Sequence, residues 1–589
     1  MGHHVVLRAG AVPVTPADAI VLAGGRASRM GGVDKPGLMV GGRSMLEAAL
    51  AAVAGCAARV VVGPHRPGLD PDIRQVRESP PGSGPVAAIE AGLRALADSA
   101  APLVVVLAAD MPFLTGATVA ELLRVAADSD AQAVFAADRS GRPQYLAGVW
   151  RRPALRAALD GLDSVVNQPM KALVPAGSVT VELDGVTDCD TEDEVRRARV
   201  RAGEPLDLAQ ARAALRAELT ALPVHRGVLR DARGAALAEP LTAAEALPRF
   251  DVSAMDGYAV AGDGPWRLRR DIGFAGGQRP AGLRPGEAVR IATGAHVPEG
   301  TDRVVRDEFA ELSPDQLLHR LPDTPLREDI RRRGEDREVG DPVAPAGTPV
   351  TLALVSAAAS VEVTEAAVRG PVRARIVMTG DEIRSAGPLR AGQTRDSIGP
   401  VLPDLLAACG VRTVDLVHLR DTPNGFDEVL AAADDCDLLV VVGATGRGAA
   451  DQLRGALDRA DATIVVPRLR MRPGGSTIVA ETNSGTTVLG LPGNPFAAVA
   501  TALALTPALV AARTGAQPPR PLLVPLANAA AVAAPVTRVV PARAAEGGWL
   551  GDAAVRTAHL GGLIDRDGLA VVPPGARDGD PVEILPLPR

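Results

Sequence analysis

From Ala19 the chain alternates short apolar runs with amphipathic stretches: AIVLAGG, RSMLEAALAAVAG, ARVVVG, GPVAAIEAGLRALA and PLVVVLAAD follow one another. Runs of Val, Ile and Leu without polar alternation are strands buried on both faces, and the helical stretches between them supply the cover. The pattern predicts βαβ units forming a doubly wound α/β domain with a parallel sheet over residues 1–200. Arg201-Ala-Gly-Glu-Pro205 reads as a linker, because Gly203 and Pro205 interrupt the helical patterns on both sides. DLAQARAALRAELTAL then predicts an amphipathic helix at the start of a mixed, β-rich region over 206–370. A second βαβ pattern opens at ARIVMTGDE, passes through VLPDLLAACG and DLLVVVG, and closes with the helix after LPGNP, which predicts another parallel sheet over 371–516. Short Val-rich strands after Pro518, Pro519 and Pro521 predict a small all-β domain over 517–589.

Composition narrows the partners. The 589 residues suit about four domains at roughly 150 residues each. A net charge of −7 with both signs interspersed, and an aromatic content of 2%, exclude the basic stripe and stacking platform of a nucleic-acid binder. The longest apolar stretch is interrupted by Thr501, Thr506 and Pro507, so no membrane span is expected and the cytoplasm is the default location. Cys56, Cys189, Cys409 and Cys436 are scattered without a CxxC pair, which predicts neither a disulfide framework nor a zinc site. Of the 63 basic residues only Lys35 and Lys171 are lysines.

Lys35 closes the most informative string of the chain, Leu22-Ala-Gly-Gly-Arg-Ala-Ser-Arg-Met-Gly-Gly-Val-Asp-Lys35. Glycines where a strand ends let backbone N–H groups approach a polyanion, and Arg29 and Lys35 add positive charge. The string is neither a Walker loop nor a Rossmann GxGxxG. A compact ammonium reaches between phosphate oxygens where a planar guanidinium does not fit, so Lys35 is read as a phosphate contact and Lys171 as a solvated charge. Asp110-Met-Pro-Phe113 ends another predicted strand, where a carboxylate suits a Mg2+ that bridges nucleotide phosphates.

These residues resemble the molybdenum-cofactor guanylyltransferase family, whose LAGGxxxRMGGxDK pattern is matched from Leu22 to Lys35. Gly84-Pro85, Asp110-Met-Pro-Phe113, Gly141-Arg-Pro-Gln144 and Asp190-Thr-Glu-Asp193 are further matches, over residues 18 to about 198. The resemblance implies that Leu22, Ala23, Gly24, Gly25, Arg29 and Lys35 hold GTP and that Asp110 holds Mg2+. It also implies that a molybdopterin phosphate attacks the α-phosphate of GTP and releases pyrophosphate. Gly63-Pro64 stands where the family often has Asn, and Asp188-Cys-Asp190 where Asn-x-Asn is common. CTP or a sugar phosphate therefore remains an open alternative substrate.

The remainder carries Phe250-Asp-Val-Ser-Ala-Met-Asp-Gly-Tyr258, Ile291-Ala-Thr-Gly-Ala-His-Val-Pro-Glu-Gly300 with Asp302, Gly334-Glu-Asp336, Thr379-Gly-Asp-Glu382 and Leu491-Pro-Gly-Asn-Pro495. Each sets a carboxylate, hydroxyl or amide beside a glycine in a predicted loop. As a set, over about 206–589, they resemble the molybdopterin molybdenumtransferases, or molybdenum insertases. That resemblance implies Mg2+-dependent transfer of molybdate to adenylylated molybdopterin with release of AMP, a homodimer, and molybdoenzymes as eventual acceptors. Asp256, Thr293, Asp302, Glu335, Asp381 and Asp421 match its polar positions, with Glu335 and Asp381 as metal ligands. Gly443, Gly448, Asp451, Arg472, Pro492, Gly493 and Pro495 match its cofactor-binding positions. The family's TSGGVSVGxxD loop appears as Val441-Val-Gly-Ala-Thr-Gly-Arg-Gly-Ala-Ala-Asp451, its KPGKP phrase as Arg472-Pro-Gly-Gly-Ser476, and an Asn of its DSN phrase as Ile398. Thr445 or Arg447 are candidates to replace lost hydroxyl contacts, and Arg468 and Arg470 to replace the cation lost at Gly475. A bifunctional enzyme is the leading reading. A nucleotidyltransferase fused to a pterin carrier that no longer inserts metal is the alternative.

Overall fold

The structure is a computed structural model and describes residues 15–24, 34–138, 140–420, 422, 425–446 and 452–588. The chain divides into two compact units, Met1–Glu204 and Pro205–Arg589.

The first unit is built on seven strands: β1 (Ala17–Leu22), β2 (Arg59–Val62), β3 (Ile73–Val76), β4 (Leu103–Ala108), β5 (Ala133–Ala137), β6 (Pro143–Arg151) and β7 (Val179–Glu182). Their order in the sheet is β3-β2-β1-β4-β6-β5-β7. Strands β1 to β4 are parallel, with Ala19 opposite both Arg59 and Val105, but β6 runs antiparallel to both β4 and β5. The sheet is therefore mixed rather than parallel throughout. The reason is local: the short turn at Asp138–Arg142 returns the chain directly beside β5, with no crossover helix between them.

Alternate residues of β1 face opposite sides, as strand geometry requires. Ala19 and Val21 join a core with Leu46, Leu50 and Leu122 from α1 (Met45–Ala52) and α3 (Gly116–Asp128). Ile20 and Leu22 join another with Ile89, Leu93 and Leu155 from α2 (Pro85–Ala95) and α4 (Arg152–Asp160). The last helix of the unit, α5 (Glu192–Arg201), starts with a capping box in which Thr191 and Glu194 satisfy each other's backbone N–H groups.

The second unit contains the helix α6 (Leu208–Glu218) followed by β-rich lobes with one helix, α7 (Leu352–Ala359). The largest lobe sheet contains β8 (Gly257–Val260), β9 (Trp266–Gly273), β10 (Glu287–Ile291), β11 (Arg303–Arg306), β12 (Ala310–Leu312) and β13 (Leu317–Arg320), in the order β11-β8-β10-β9-β13-β12. The second α/β sheet contains β14 (Val372–Thr379), β15 (Val411–Leu419), β16 (Leu438–Val442), β17 (Thr463–Val466), β18 (Ile478–Glu481) and β19 (Thr487–Leu491). Its order is β15-β14-β16-β19-β18-β17, and β18 runs antiparallel to both its neighbours, so this sheet too is mixed. Helices α8 (Leu402–Ala408), α9 (Gly425–Ala431), α10 (Gln452–Arg459) and α11 (Pro495–Thr514) complete the layer.

Helix α6 packs on α11 of the α/β layer, although it lies next to the lobes in sequence. Its buried face of Leu208, Ala211 and Leu215 meets an apolar helix that is buried almost all round. A buried ion pair of Arg513 and Glu481 at 3.1 Å anchors the segment after α6, with Thr220 donating its N–H to Glu481. Helix α11 is long and apolar enough to cross a membrane by length and composition, but most of it is buried inside its own unit, which is the signature of a core helix. The C-terminal sheet runs Met471–Arg472, Thr537–Ala545, Gly568–Val572, Pro581–Pro586 and Leu522–Pro525. It thus takes one short strand from inside the α/β segment, where a separate domain over 517–589 was expected.

Candidate functional site

In the first unit the polar residues collect at the carboxyl ends of β1, β2 and β4, where open α/β sheets bind ligands. Leu22, Ala23 and Gly24 leave β1, while Gly25 and Arg29 lie outside the described residues. The Lys35 ammonium sits 2.7 Å from Asp110 Oδ2 and 2.7 Å from Asp190 Oδ1, so the structure joins the first motif to the Asp110 motif and adds Asp190. Burial by itself would depress the Lys35 pKa, but the two carboxylates outweigh it and hold the group above the ordinary lysine value. Asp188 is pushed up from the usual aspartate value by burial and by the nearby negative charges of Asp190 and Asp110. The other oxygen of Asp110, Oδ1, is buried without a hydrogen-bond partner.

Arg66 binds both ends of the glycine loop. Its guanidinium donates to Asp34 Oδ2 at 2.7 Å and to the Ala23 carbonyl at 3.4 Å. The hydrogen bond from Arg66 lowers the Asp34 pKa, against the effect of burial. Gly63 explains the departure from Asn at that position: its φ is +154°, and a Cβ there would stand 2.7 Å from the Ala23 carbonyl carbon. Sequence reasoning missed Glu78. Its side chain is 8% exposed, Oε1 accepts the Gly82 N–H at 2.8 Å, and Oε2 is buried without a partner. Glu78 Oε1 also lies 3.8 Å from the place a Cβ on Gly24 would occupy, so the carboxylate faces the glycine loop. A single Glu before Ser-Pro has no motif that announces this burial.

In the second unit the structure makes two groups of the predicted residues. Asp256 accepts the Thr293 N–H at 2.8 Å, and Asp251 accepts the Arg333 N–H at 2.8 Å and an Arg332 guanidinium hydrogen bond at 2.9 Å. Phe250 stacks on His296 with ring centroids 4.0 Å apart. The first three C-terminal phrases therefore meet at one end of the lobe sheet. Glu335 accepts the Arg332 N–H at 2.9 Å and lies 3.7 Å from Arg331. Asp302 is not part of this group: it accepts the Gly262 N–H at the far end of β8, six residues or about 20 Å of extended chain from Asp256.

The other group lines a cavity of about 790 Å3 beyond the carboxyl ends of β14, β16 and β19. Gly443, Thr445, Pro492, Gly493 and Pro495 line it, and α11 opens its N-terminus there with Asn494 capping the Ala497 N–H. The first-turn N–H groups are already taken, Phe496 by the Thr557 carbonyl and Ala497 and Ala498 by Asn494, so what this helix end offers an anion is its partial positive charge. Gly443 has φ +99°, and a Cβ would meet Thr379 Oγ1 at 2.3 Å, so this approach of two loops requires glycine. Thr445 and Ser476 hydroxyls are 3.1 Å apart on the wall. Asp381 is exposed in the loop after β14, and it is the adjacent Glu382 that lines the cavity.

Arg472 is exposed on the short strand of the C-terminal sheet and does not line the cavity. Arg470 donates to the Pro205 carbonyl and Arg468 faces the Gly475 carbonyl, so neither replaces the missing cation in the wall. Arg395 is the one cation among the described lining residues. Asp421, Arg447, Gly448 and Asp451 lie outside the described residues. None of the lobe residues Asp256, Thr293, Asp302 or Glu335 lines this cavity, and no cluster of three or more His, Cys, Asp or Glu side chains suited to a metal occurs among the described residues.

Comparison with known proteins agrees with both halves. Residues 19–178 match the MobA-like NTP transferase domain, 206–361 the MoeA N-terminal region (domain I and II), and 375–511 the Probable molybdopterin binding domain. The molybdopterin molybdenumtransferase of Synechococcus elongatus is 31% identical over 401 residues, which cover 63% of this chain and 97% of the relative. That of Haemophilus influenzae is 32% identical over 296 residues, covering 49% of this chain and 72% of the relative. The solved molybdopterin biosynthesis moeA protein of Pyrococcus horikoshii OT3 has the same fold, with a TM-score of 0.52 at 19% identity over 65% of this chain and 100% of that one. The chain belongs to the molybdopterin molybdenumtransferase family and has a MobA-like nucleotidyltransferase domain ahead of that region.

Proposed function

We propose that the chain carries out two steps of molybdenum-cofactor assembly. The C-terminal unit transfers molybdate to adenylylated molybdopterin and releases AMP. The N-terminal unit then transfers GMP from GTP to the metal-loaded cofactor and releases pyrophosphate. The observation that carries this reading is that each unit gathers polar loops at the carboxyl ends of an α/β sheet, around Lys35 in the first and around the cavity beside Gly443 in the second.

In the N-terminal site the Lys35 ammonium, now held by Asp110 and Asp190, turns to the nucleotide phosphates when they arrive. Asp110 and Asp190 would hold Mg2+, and the orphaned, buried Asp110 Oδ1 fits a cation that offsets phosphate charge. Glu78 supports guanine over cytosine. A carboxylate accepts two adjacent donors, which guanine offers through N1–H and its 2-amino group, whereas cytosine offers only its 4-amino group. In the C-terminal site the cavity walls and the α11 N-terminus receive the pterin and its phosphate. The family's homodimer fits a chain whose lobe carboxylates do not line its own cavity, and molybdoenzymes are the eventual acceptors.

The second reading, a pterin carrier that no longer inserts metal, draws on Arg395 as the one cation among the described lining residues and on the cation lost at Gly475. Molybdate-dependent AMP release by the full chain separates the two: release supports insertion, and its absence alongside intact pterin binding supports the carrier.

A further inference from the structure

The largest lobe sheet carries a small cavity against its edge strand β11. Arg303, Arg306, Arg320, Arg327 and Asp329 are among its walls, four guanidinium groups against one carboxylate. Its volume of about 10 Å3 holds the centre of one water-sized atom, so no ring system enters it.

The chain is fastened around this cavity. Leu321 donates its N–H to the Phe309 carbonyl at 2.9 Å, Val304 donates to the Glu328 carbonyl at 2.8 Å, and the Thr324 hydroxyl donates to the Leu321 carbonyl at 2.6 Å. The loop 321–329 is thus tied down at both ends, and it brings Arg327 to the same cavity as Arg303 of β11 and Arg320 at the end of β13.

Nearby carboxylates are committed to other arginines. Asp329 accepts two hydrogen bonds from Arg306, at 2.9 and 3.0 Å, and Glu308 lies 3.7 Å from the same guanidinium. Glu328 pairs with Arg332 at 2.7 Å. Arg303, Arg320 and Arg327 make no ion pair among the described residues, whereas Arg331 and Arg332, a few positions on, each pair with two carboxylates. A shortage of acids is not the reason, since the chain has a net charge of −7. Three like charges around one cavity repel one another, and a bound anion reverses that cost.

We propose that this cavity binds a tetrahedral oxyanion of charge −2, the chemistry shared by molybdate, sulfate and a phosphate head group. One oxygen occupies the cavity, and Arg303, Arg320 and Arg327 hold the others through charge-assisted hydrogen bonds. Guanidinium groups suit this task because their donors are fixed in a plane and weakly hydrated. The site shares no lining residue with the cavity beside Gly443, so it stands independently of the insertion reading.

Hydrogen exchange of the full chain at constant ionic strength, read by mass spectrometry over residues 321–329, tests the site. Sodium molybdate is the probe, sulfate and glycerol phosphate are further arms, and chloride is the control. Binding slows local opening by a factor of 1 + [L]/Kd, so molybdate at about 2 mM should slow exchange about threefold for a Kd of about 1 mM. Sulfate should protect in the same way and chloride should not. Equal protection by glycerol phosphate assigns the site to head groups as well, and weaker protection assigns it to the free ion. The double variant Arg320→Glu with Arg327→Glu should lose the protection, and Arg327→Lys should keep part of it. Exchange over 257–260 without oxyanion reports whether each variant retains the lobe sheet. Absence of protection by both molybdate and sulfate in the wild type, protection equalled by chloride, or undiminished protection in the double variant overturns the proposal.

Discussion

Glu78→Gln isolates the base-reading role of one side chain while keeping its shape. Oε1 of Glu78 accepts the Gly82 N–H at 2.8 Å, so a glutamine keeps its oxygen there and turns its NH2 to the place of Oε2. That NH2 would face a guanine N–H, a donor against a donor. The loss is one hydrogen bond to a charged group, about 1.5–3 kcal/mol, and the side chain is only 8% exposed, so solvent screens little of it. At about 1.4 kcal/mol per decade this corresponds to a roughly 10- to 150-fold fall in kcat/KM for GTP. CTP, with one donor fewer on that edge, should change by about twofold or less. The assay is pyrophosphate release with GTP and CTP in competition, together with a thermal melt. A GTP-to-CTP ratio unchanged in a variant that melts with the wild type would refute the reasoning.

Other perturbations have equally defined outcomes. Burial and the neighbouring carboxylates raise the Asp188 pKa, so the folded state binds its proton more tightly than the unfolded chain, and this group costs stability at neutral pH. Asp188→Asn should therefore melt higher than wild type at pH 7, with the gain shrinking as pH falls through the raised pKa toward the ordinary aspartate value, and it should need more Mg2+ for turnover. A gain that grows with acidity would contradict this. Gly63→Asn forces a Cβ to within 2.7 Å of the Ala23 carbonyl carbon at φ +154°, so nucleotide affinity by titration should fall about tenfold or more, with roughly 1–3 kcal/mol of strain. Gly443→Ala puts a methyl 2.3 Å from Thr379 Oγ1, and equilibrium pterin binding should weaken at least tenfold while GTP binding stays unchanged.

How far the sequence was legible follows from the kind of signal each feature leaves. Strand β1, Lys35, Asp110 and the Pro492–Pro495 loop belong to local strings that already mark them in the sequence. The expectation of parallel sheets missed β6 and β18, because strand direction depends on whether the connection crosses the sheet, which apolar runs do not record. Helix α6 shows its amphipathic face in sequence but not its partner, and it docks nearly three hundred residues away through Arg212 to the Ala504 carbonyl. The loops that join Asp251 to Arg332, and the salt bridge from Lys35 to Asp190, link residues 81 and 155 positions apart. Asp302 and Glu335 each accept a backbone N–H of their own neighbourhood, contacts that the composition of their turns does not foretell. Glu78 left no signal at all, since burial of a lone carboxylate is a property of the fold.

The central claim is tested most directly by giving the purified full chain adenylylated molybdopterin, molybdate, Mg2+ and GTP together and resolving the products by mass spectrometry. The account predicts AMP, pyrophosphate and a metal-loaded cofactor carrying GMP, with AMP release dependent on molybdate and pyrophosphate release dependent on GTP and abolished by Asp110→Ala. Nucleotidyl transfer that proceeds equally well in Asp110→Ala, or a wild-type reaction that yields no guanylylated, metal-loaded product, would contradict it.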